Sequence, residues 1–154
     1  MNVLRILLVD DSRDFLYSAA AFLSKQEGVE IVGLAQSADE AMEELDAFAP
    51  DVVLMDIAMP GMNGFDAASR MKSHPNAPKV IIVTSHDCSE YRAGAEAAGS
   101  DGFAVKDRFV ESIGVVIRAF AAGLDPHDGL IECHSSSVVC PCYDGTGKSA
   151  RISG

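Results

Sequence analysis

The stretch LLVDDSRD, residues 7–14, sets Asp10 and Asp11 side by side at the end of an apolar run. Two like charges in a poorly hydrated crevice repel, and at least one is pushed towards protonation unless a cation stands between them. Other polar residues close comparable runs: Asp56 follows residues 51–55, Thr84 and Ser85 follow 79–83, and Lys106 follows 101–105. Singly, each acid reads as a helix N-cap or a solvated loop carboxylate, Lys106 as an exposed lysine and Thr84 as a β-branched strand former. Together they offer three carboxylates, hydroxyls and one ammonium to a single crevice. A hard divalent cation with oxygen ligands would remove the repulsion between Asp11 and Asp56, and Mg²⁺ commonly uses one or two carboxylates plus waters.

Such residues need elements to bring them together. Five short apolar runs, residues 3–9, 29–35, 51–55, 79–83 and 101–105, have strand length. Several are nearly continuous in apolarity, as parallel strands covered on both faces are. Between them lie segments of helical period: Phe15, Ala19, Phe22 and Leu23; Ala38, Ala41, Met42 and Leu45; Phe65, Ala68 and Met71; and Val110, Ile113, Val116, Ile117 and Phe120. Ser37 and Glu40 have capping-box spacing, and Gly28, Gly99 and Gly123 stand where helices should stop. The alternation predicts a doubly wound α/β sheet with right-handed crossovers, in which ligands collect at the carboxyl ends of the strands.

The chain has 154 residues and a formal net charge of -11, which disfavours direct nucleic-acid or anionic-membrane binding. No run approaches the ~20 apolar residues of a membrane span, and the first residues lack the basic lead of a signal peptide, so a soluble, cytoplasmic protein is expected. Residues 1–123 are expected to form one domain. Residues 124–154, rich in Pro, His, Ser, Cys and Gly, are expected to be an irregular or disordered tail. Gly147-Lys148-Ser149 lacks the earlier glycine of a phosphate loop, and Cys133, His134, Cys140 and Cys142 lack the usual spacing of zinc ligands.

In order and spacing, Asp10-Asp11, Asp56 with MPGMNG (59–64), Thr84, Phe103 and Lys106 resemble the signature of the response-regulator receiver domain of two-component signalling, matching from about residue 3 to residue 122. The resemblance implies a flavodoxin-like five-stranded parallel sheet of order 2-1-3-4-5, Asp56 as phosphoacceptor, and Mg²⁺ held by Asp11, Asp56 and the backbone carbonyl of Ala58, with Asp10 acting through a bound water. Thr84, Lys106 and Phe103 become the switch. The chemistry is compatible: a carboxylate can take a phosphoryl group in line when cations neutralise the phosphoryl oxygens, here Mg²⁺ and Lys106. The Thr84 hydroxyl can then turn inward and vacate space that the Phe103 ring fills. Gly61 and Gly64 permit a tight loop beside the phosphate.

The resemblance further implies a signalling switch and not a turnover enzyme. Its partners would be a sensor histidine kinase or phosphotransfer protein, an output protein or missing effector domain, and a second copy after phosphorylation. The responding surface would comprise the fourth helix, fifth strand and fifth helix. Asp107 after Lys106 resembles receivers joined to helix-turn-helix DNA-binding domains. The residues after Gly123 are too few for such a domain, so the expectation is a stand-alone receiver or the receiver part of a truncated transcriptional regulator. Ala58 and His86 occupy positions that resemble gates for the hydrolytic water. A Mg²⁺-dependent phosphohydrolase using the same crevice is the competing reading, and Ala58 stands where its general acid would be needed.

Overall fold

Residues 52–55 and 80–83 form central strands, because uninterrupted Val, Leu, Met and Ile suit a sheet covered on both faces. The computed structural model describes residues 3–58, 63–86, 88–110, 113, 114, 117, 138 and 139. Its elements run β1 (Leu4–Val9), α1 (Arg13–Ser24), β2 (Val29–Ala35), α2 (Ala38–Phe48), β3 (Val52–Asp56), α3 (Gly64–Lys72), β4 (Lys79–Thr84), α4 (Ser89–Ala97), β5 (Gly102–Val105) and β6 (Val138–Val139). The strand order is β2-β1-β3-β4-β5-β6. The first five are parallel to their neighbours, in the expected order 2-1-3-4-5.

Strand periodicity divides the core. Leu7, Val9, Val53, Met55, Val80, Ile82 and Phe103 point to one face, where they meet Ala38, Ala41 and Leu45 of α2, Ala67, Ala68 and Met71 of α3, and Ala95 of α4. Ile6, Leu8, Val52, Leu54, Ile81, Val83 and Ala104 point to the other, against Leu16, Ala19 and Leu23 of α1 and against Phe109, Ile113 and Ile117. Each run is therefore apolar at consecutive positions, since odd and even residues bury against different helices.

Helix ends follow local chemistry. Ser12, Ser37 and Asn63 cap α1, α2 and α3, their side chains accepting from the amides of Phe15, Glu40 and Asp66. The Glu40 carboxylate reaches back to the Gln36 amide (3.2 Å), one residue before the cap, so the expected capping box closes on a neighbouring donor. Gly28 and Gly99 adopt positive φ, but α2 ends on Ala49 with φ 47° and no glycine. Helix α4 is not among the expected helical segments: it carries little apolar periodicity, with Ala95 its one fully buried residue.

Two differences from expectation concern the far edge of the sheet. Val110, placed on the buried side of the last helical pattern, is 56% exposed, and Phe109 is buried instead. A short 3-10 segment, Lys106–Arg108, precedes that helix, whose buried side keeps Ile113 and Ile117 and begins at Phe109, one helical turn before Ile113. Inside the segment expected to be irregular, Val138 and Val139 pair antiparallel with Ala104 and Phe103. Two adjacent β-branched residues satisfy the free edge of β5 at little cost, although they show no helical or alternating period. Val116, Phe120 and Gly123, with the remainder of the tail, lie outside the described residues.

Candidate functional site

At the carboxyl end of β1 the chain splits the two acids. Asp10 donates its amide to the Ala35 carbonyl (3.0 Å), as the last rung against β2, and is only 1% exposed. Its Oδ1 accepts from the Ser12 amide (2.8 Å), which orients the carboxylate, and the Ser12 hydroxyl then caps α1. Asp11 lies exposed at the rim. Beside β1 in the sheet, β3 ends on the buried Asp56. One carboxylate oxygen from each of Asp10, Asp11 and Asp56 lies within 4.8 Å of the others.

Lys106, immediately after β5, supplies the cation. Its Nζ is 2.5 Å from Asp10 Oδ2 and 3.5 Å from Asp56 Oδ1. It also stands 4.5 Å from the centroid of the Phe15 ring. Burial, followed by the charge of Asp10, raises the Asp56 carboxyl to about 6; Lys106 opposes the rise and Asp11 adds to it. A buried carboxylate in that condition gains from any added positive charge.

The loop after β3 depends on Gly64 for space. A Cβ there would meet the Asp56 carbonyl oxygen at 2.1 Å and the Ile57 Cα at 2.8 Å. The Gly64 amide donates to the Ile57 carbonyl (3.0 Å), so α3 begins in direct contact with the backbone that carries Asp56. Close approach of the backbone, and not a positive φ, is what requires glycine here. Gly61 lies outside the described residues, and Ala58 is exposed just beyond β3.

Thr84 ends β4 and is buried, with its Oγ1 accepting from the His86 amide (3.2 Å). The hydroxyl is thus tied to the loop before α4. His86 is exposed and stacks on Tyr91 of α4, centroids 6.3 Å apart. Phe103 is 1% exposed among the residues under α2, α3 and α4, and the Arg92 guanidinium lies 6.0 Å from its ring centre. The fold therefore brings Asp10, Asp11, Asp56 and Lys106 into one crevice, and sets Thr84 and Phe103 on adjacent strands at their register positions 84↔105 and 82↔103. Sequence reasoning missed Phe15 as a neighbour of Lys106, counting it with the core face of α1. The available signal was an aromatic four residues after Asp11, in the first turn of the helix that Ser12 caps.

A doubly wound sheet with three acids and a lysine at the carboxyl ends of β1, β3 and β5 defines a class that comparison with known proteins identifies. The chain matches the response regulator receiver domain over residues 6–117, and it belongs to that family. It is 31% identical over 121 residues to the transcriptional regulatory protein LiaR of Bacillus subtilis, an alignment covering 79% of this chain and 57% of that protein. It is 34% identical over 107 residues to a protein-glutamate methylesterase/protein-glutamine glutaminase of Geobacillus kaustophilus, covering 69% of this chain and 31% of that one. The signal receiver domain of NarL from Mycobacterium tuberculosis superposes with a TM-score of 0.74 at 30% identity, over 80% of this chain and 99% of that one. The chain thus spans little more than half the length of the first relative and about a third of the second. Among the described residues, no helix is long and apolar enough to cross a membrane.

Proposed function

We propose that this chain is a phosphorylatable switch in which Asp56 accepts a phosphoryl group from the phosphohistidine of a histidine kinase or phosphotransfer protein. The reading is carried by one observation: three carboxylates converge within 4.8 Å at the ends of β1 and β3, with the Lys106 ammonium 3.5 Å from Asp56. An Asp56 carboxylate oxygen forms the new O–P bond as the N–P bond to the kinase imidazole breaks, and the electron pair leaves with the imidazole. Lys106 offsets charge on the phosphoryl oxygens. Asp10 already has both oxygens engaged, by Lys106 and the Ser12 amide, which suits support of the site at one remove.

A set of hard oxygen donors around a buried, raised carboxylate fits Mg²⁺. Asp11, Asp56 and the Ala58 carbonyl would hold the ion, and when bound it would neutralise charge on the transferring phosphoryl group. The Thr84 hydroxyl would exchange the His86 amide for a phosphoryl oxygen, drawing the loop before α4 inward and altering the α4–β5 surface next to Phe103. That surface, and the helix following β5, would read the signal out to an output protein, an effector domain or a second copy, in the cytoplasm. The chain spans just over half of the transcriptional regulatory relative, which favours an effector domain as one reader of the signal. The methylesterase relative shows that the same domain accompanies enzymes, while the proposed role of this chain is a switch without turnover chemistry of its own.

Incubation with acetyl phosphate, with and without Mg²⁺, followed by intact mass, tests the proposal. One phosphate adduct is expected only with Mg²⁺, mapping to Asp56 and absent in Asp56→Asn. A full adduct on the Asp56→Asn variant would place the acceptor elsewhere. Turnover of phosphate esters without a stable adduct would favour the phosphohydrolase.

A further inference from the structure

Among the described residues three groups stand against the Lys106 ammonium, and two of them are obvious. Asp10 at 2.5 Å and Asp56 at 3.5 Å pull it into the crevice from the sheet side. The third is the Phe15 ring, 4.5 Å away, within the range in which a ring quadrupole attracts a cation. We infer that Phe15 is a positioning residue for phosphoryl transfer, its ring walling the Lys106 ammonium towards Asp56. This rests on the reading of Asp56 as phosphoacceptor.

The need for such a wall follows from the side chain. Lysine is a point charge on a flexible four-carbon stem, without the planar fork that pre-orients arginine. Here its stronger carboxylate attraction is to Asp10, the nearer acid, and not to the proposed acceptor. An uncharged ring face can hold the ammonium between the two acids without competing for it as a third anion would. The ring itself is fixed. Phe109 meets it edge-on, centroids 5.3 Å apart at 76°, and Phe22 meets Phe109 in turn at 6.4 Å and 71°. Phe109 lies three residues after Lys106 and is only 6% exposed. The segment that carries the lysine therefore also clamps the ring that limits it, and α1 is joined to the residues after β5 through the site. Such edge-to-face pairs hold geometry beyond what burial alone provides.

Aliphatic replacements keep apolar bulk and remove the ring face, so Phe15→Leu and the more pliable Phe15→Met are the informative variants, with Phe15→Tyr restoring the ring. Two readouts are taken on full-length protein: the rate of Mg²⁺-dependent Asp56 labelling by acetyl phosphate, and the proton shifts of the Lys106 Cε group in ¹³C-lysine-labelled protein without phosphate donor. The aliphatic variants are expected to label roughly three- to tenfold more slowly and to lose the ring-current shift at Lys106, while Phe15→Tyr keeps the shift and labels within about twofold of wild type. Urea melts identify a variant that has failed to fold, and the other aliphatic variant then decides. Unchanged labelling in the folded aliphatic variants would overturn the inference, as would an unshifted Lys106 in the wild type, both with phosphorylation of Asp56 intact. Equal slowing in Phe15→Tyr would assign Phe15 a packing role alone. Failure of wild type to label at Asp56 would overturn the functional reading and this inference with it, an outcome recognisable because the Lys106 shift is still measured.

Discussion

Replacing Asp56 by asparagine should stabilise the metal-free protein, and by an amount that depends on pH. Asp56 sits 5% exposed, and its carboxyl is raised from 3.8 to about 6 by burial and by Asp10. The folded state therefore binds that proton more tightly than the unfolded chain does. Its contribution to stability is fully present below the unfolded value of 3.8 and is lost as pH rises through about 6. At about 1.4 kcal/mol per tenfold change in proton affinity, the ceiling is about 3 kcal/mol; the exposed rim at Asp11 reduces this, and about 1–2 kcal/mol is expected. The asparagine keeps shape without charge, and Lys106 retains Asp10 at 2.5 Å, so no buried cation is orphaned. Urea unfolding in EDTA at pH 7.5 should show Asp56→Asn more stable by that amount, with Tm higher by roughly 3–10 °C. The two proteins should converge by about pH 4, where the wild-type carboxyl is protonated. Adding Mg²⁺ should stabilise the wild type more than the variant. An Asp56→Asn protein equal to or less stable than wild type at pH 7.5, or a gain undiminished at pH 4, would refute the argument that repulsion and burial destabilise this site.

Gly64→Ala should destabilise by about 1–3 kcal/mol and slow Asp56 labelling, because its Cβ would press the Asp56 carbonyl oxygen at 2.1 Å; denaturant melts and intact mass check both. Deleting residues 125–154 should leave Mg²⁺-dependent labelling within about twofold of the full chain, as no site residue lies there. It should also speed amide exchange at the edge of β5 that faces Val138 and Val139, read by hydrogen–deuterium exchange.

Most of the scaffold is legible in the sequence for a physical reason: strands buried on both faces must be apolar at every position, and helices covering them must be apolar on one side. The runs ending at Val9, Met55 and Val83 announce themselves in this way, and the polar residues just beyond them, Asp10, Asp56 and Thr84, mark the carboxyl ends where parallel topology opens a crevice. What depends on packing without leaving a period is not legible. Helix α4 buries one small residue fully, so its pattern is faint. Val138 and Val139 carry no signal beyond two β-branched side chains, and only the free edge of β5 makes them a strand. Phe109 takes the core place beside Ile113 and Ile117, whereas the apolar spacing before Ile113 admits Val110 equally well.

The site divides along the same line. Residue type and order alone determined that Asp10, Asp11, Asp56 and Lys106 belong to one crevice, since strand ends in a parallel sheet share a side whatever their side chains do. Tertiary structure decided what each does there. It buried Asp10 and exposed Asp11 although they are adjacent, because the last hydrogen bond to β2 and the cap of α1 turn successive side chains in different directions. It drew Lys106 closer to Asp10 than to Asp56, and set the Phe15 ring against its ammonium. Distances between residues nearly a hundred positions apart are fixed by how a helix seats on a sheet, and no local pattern encodes them.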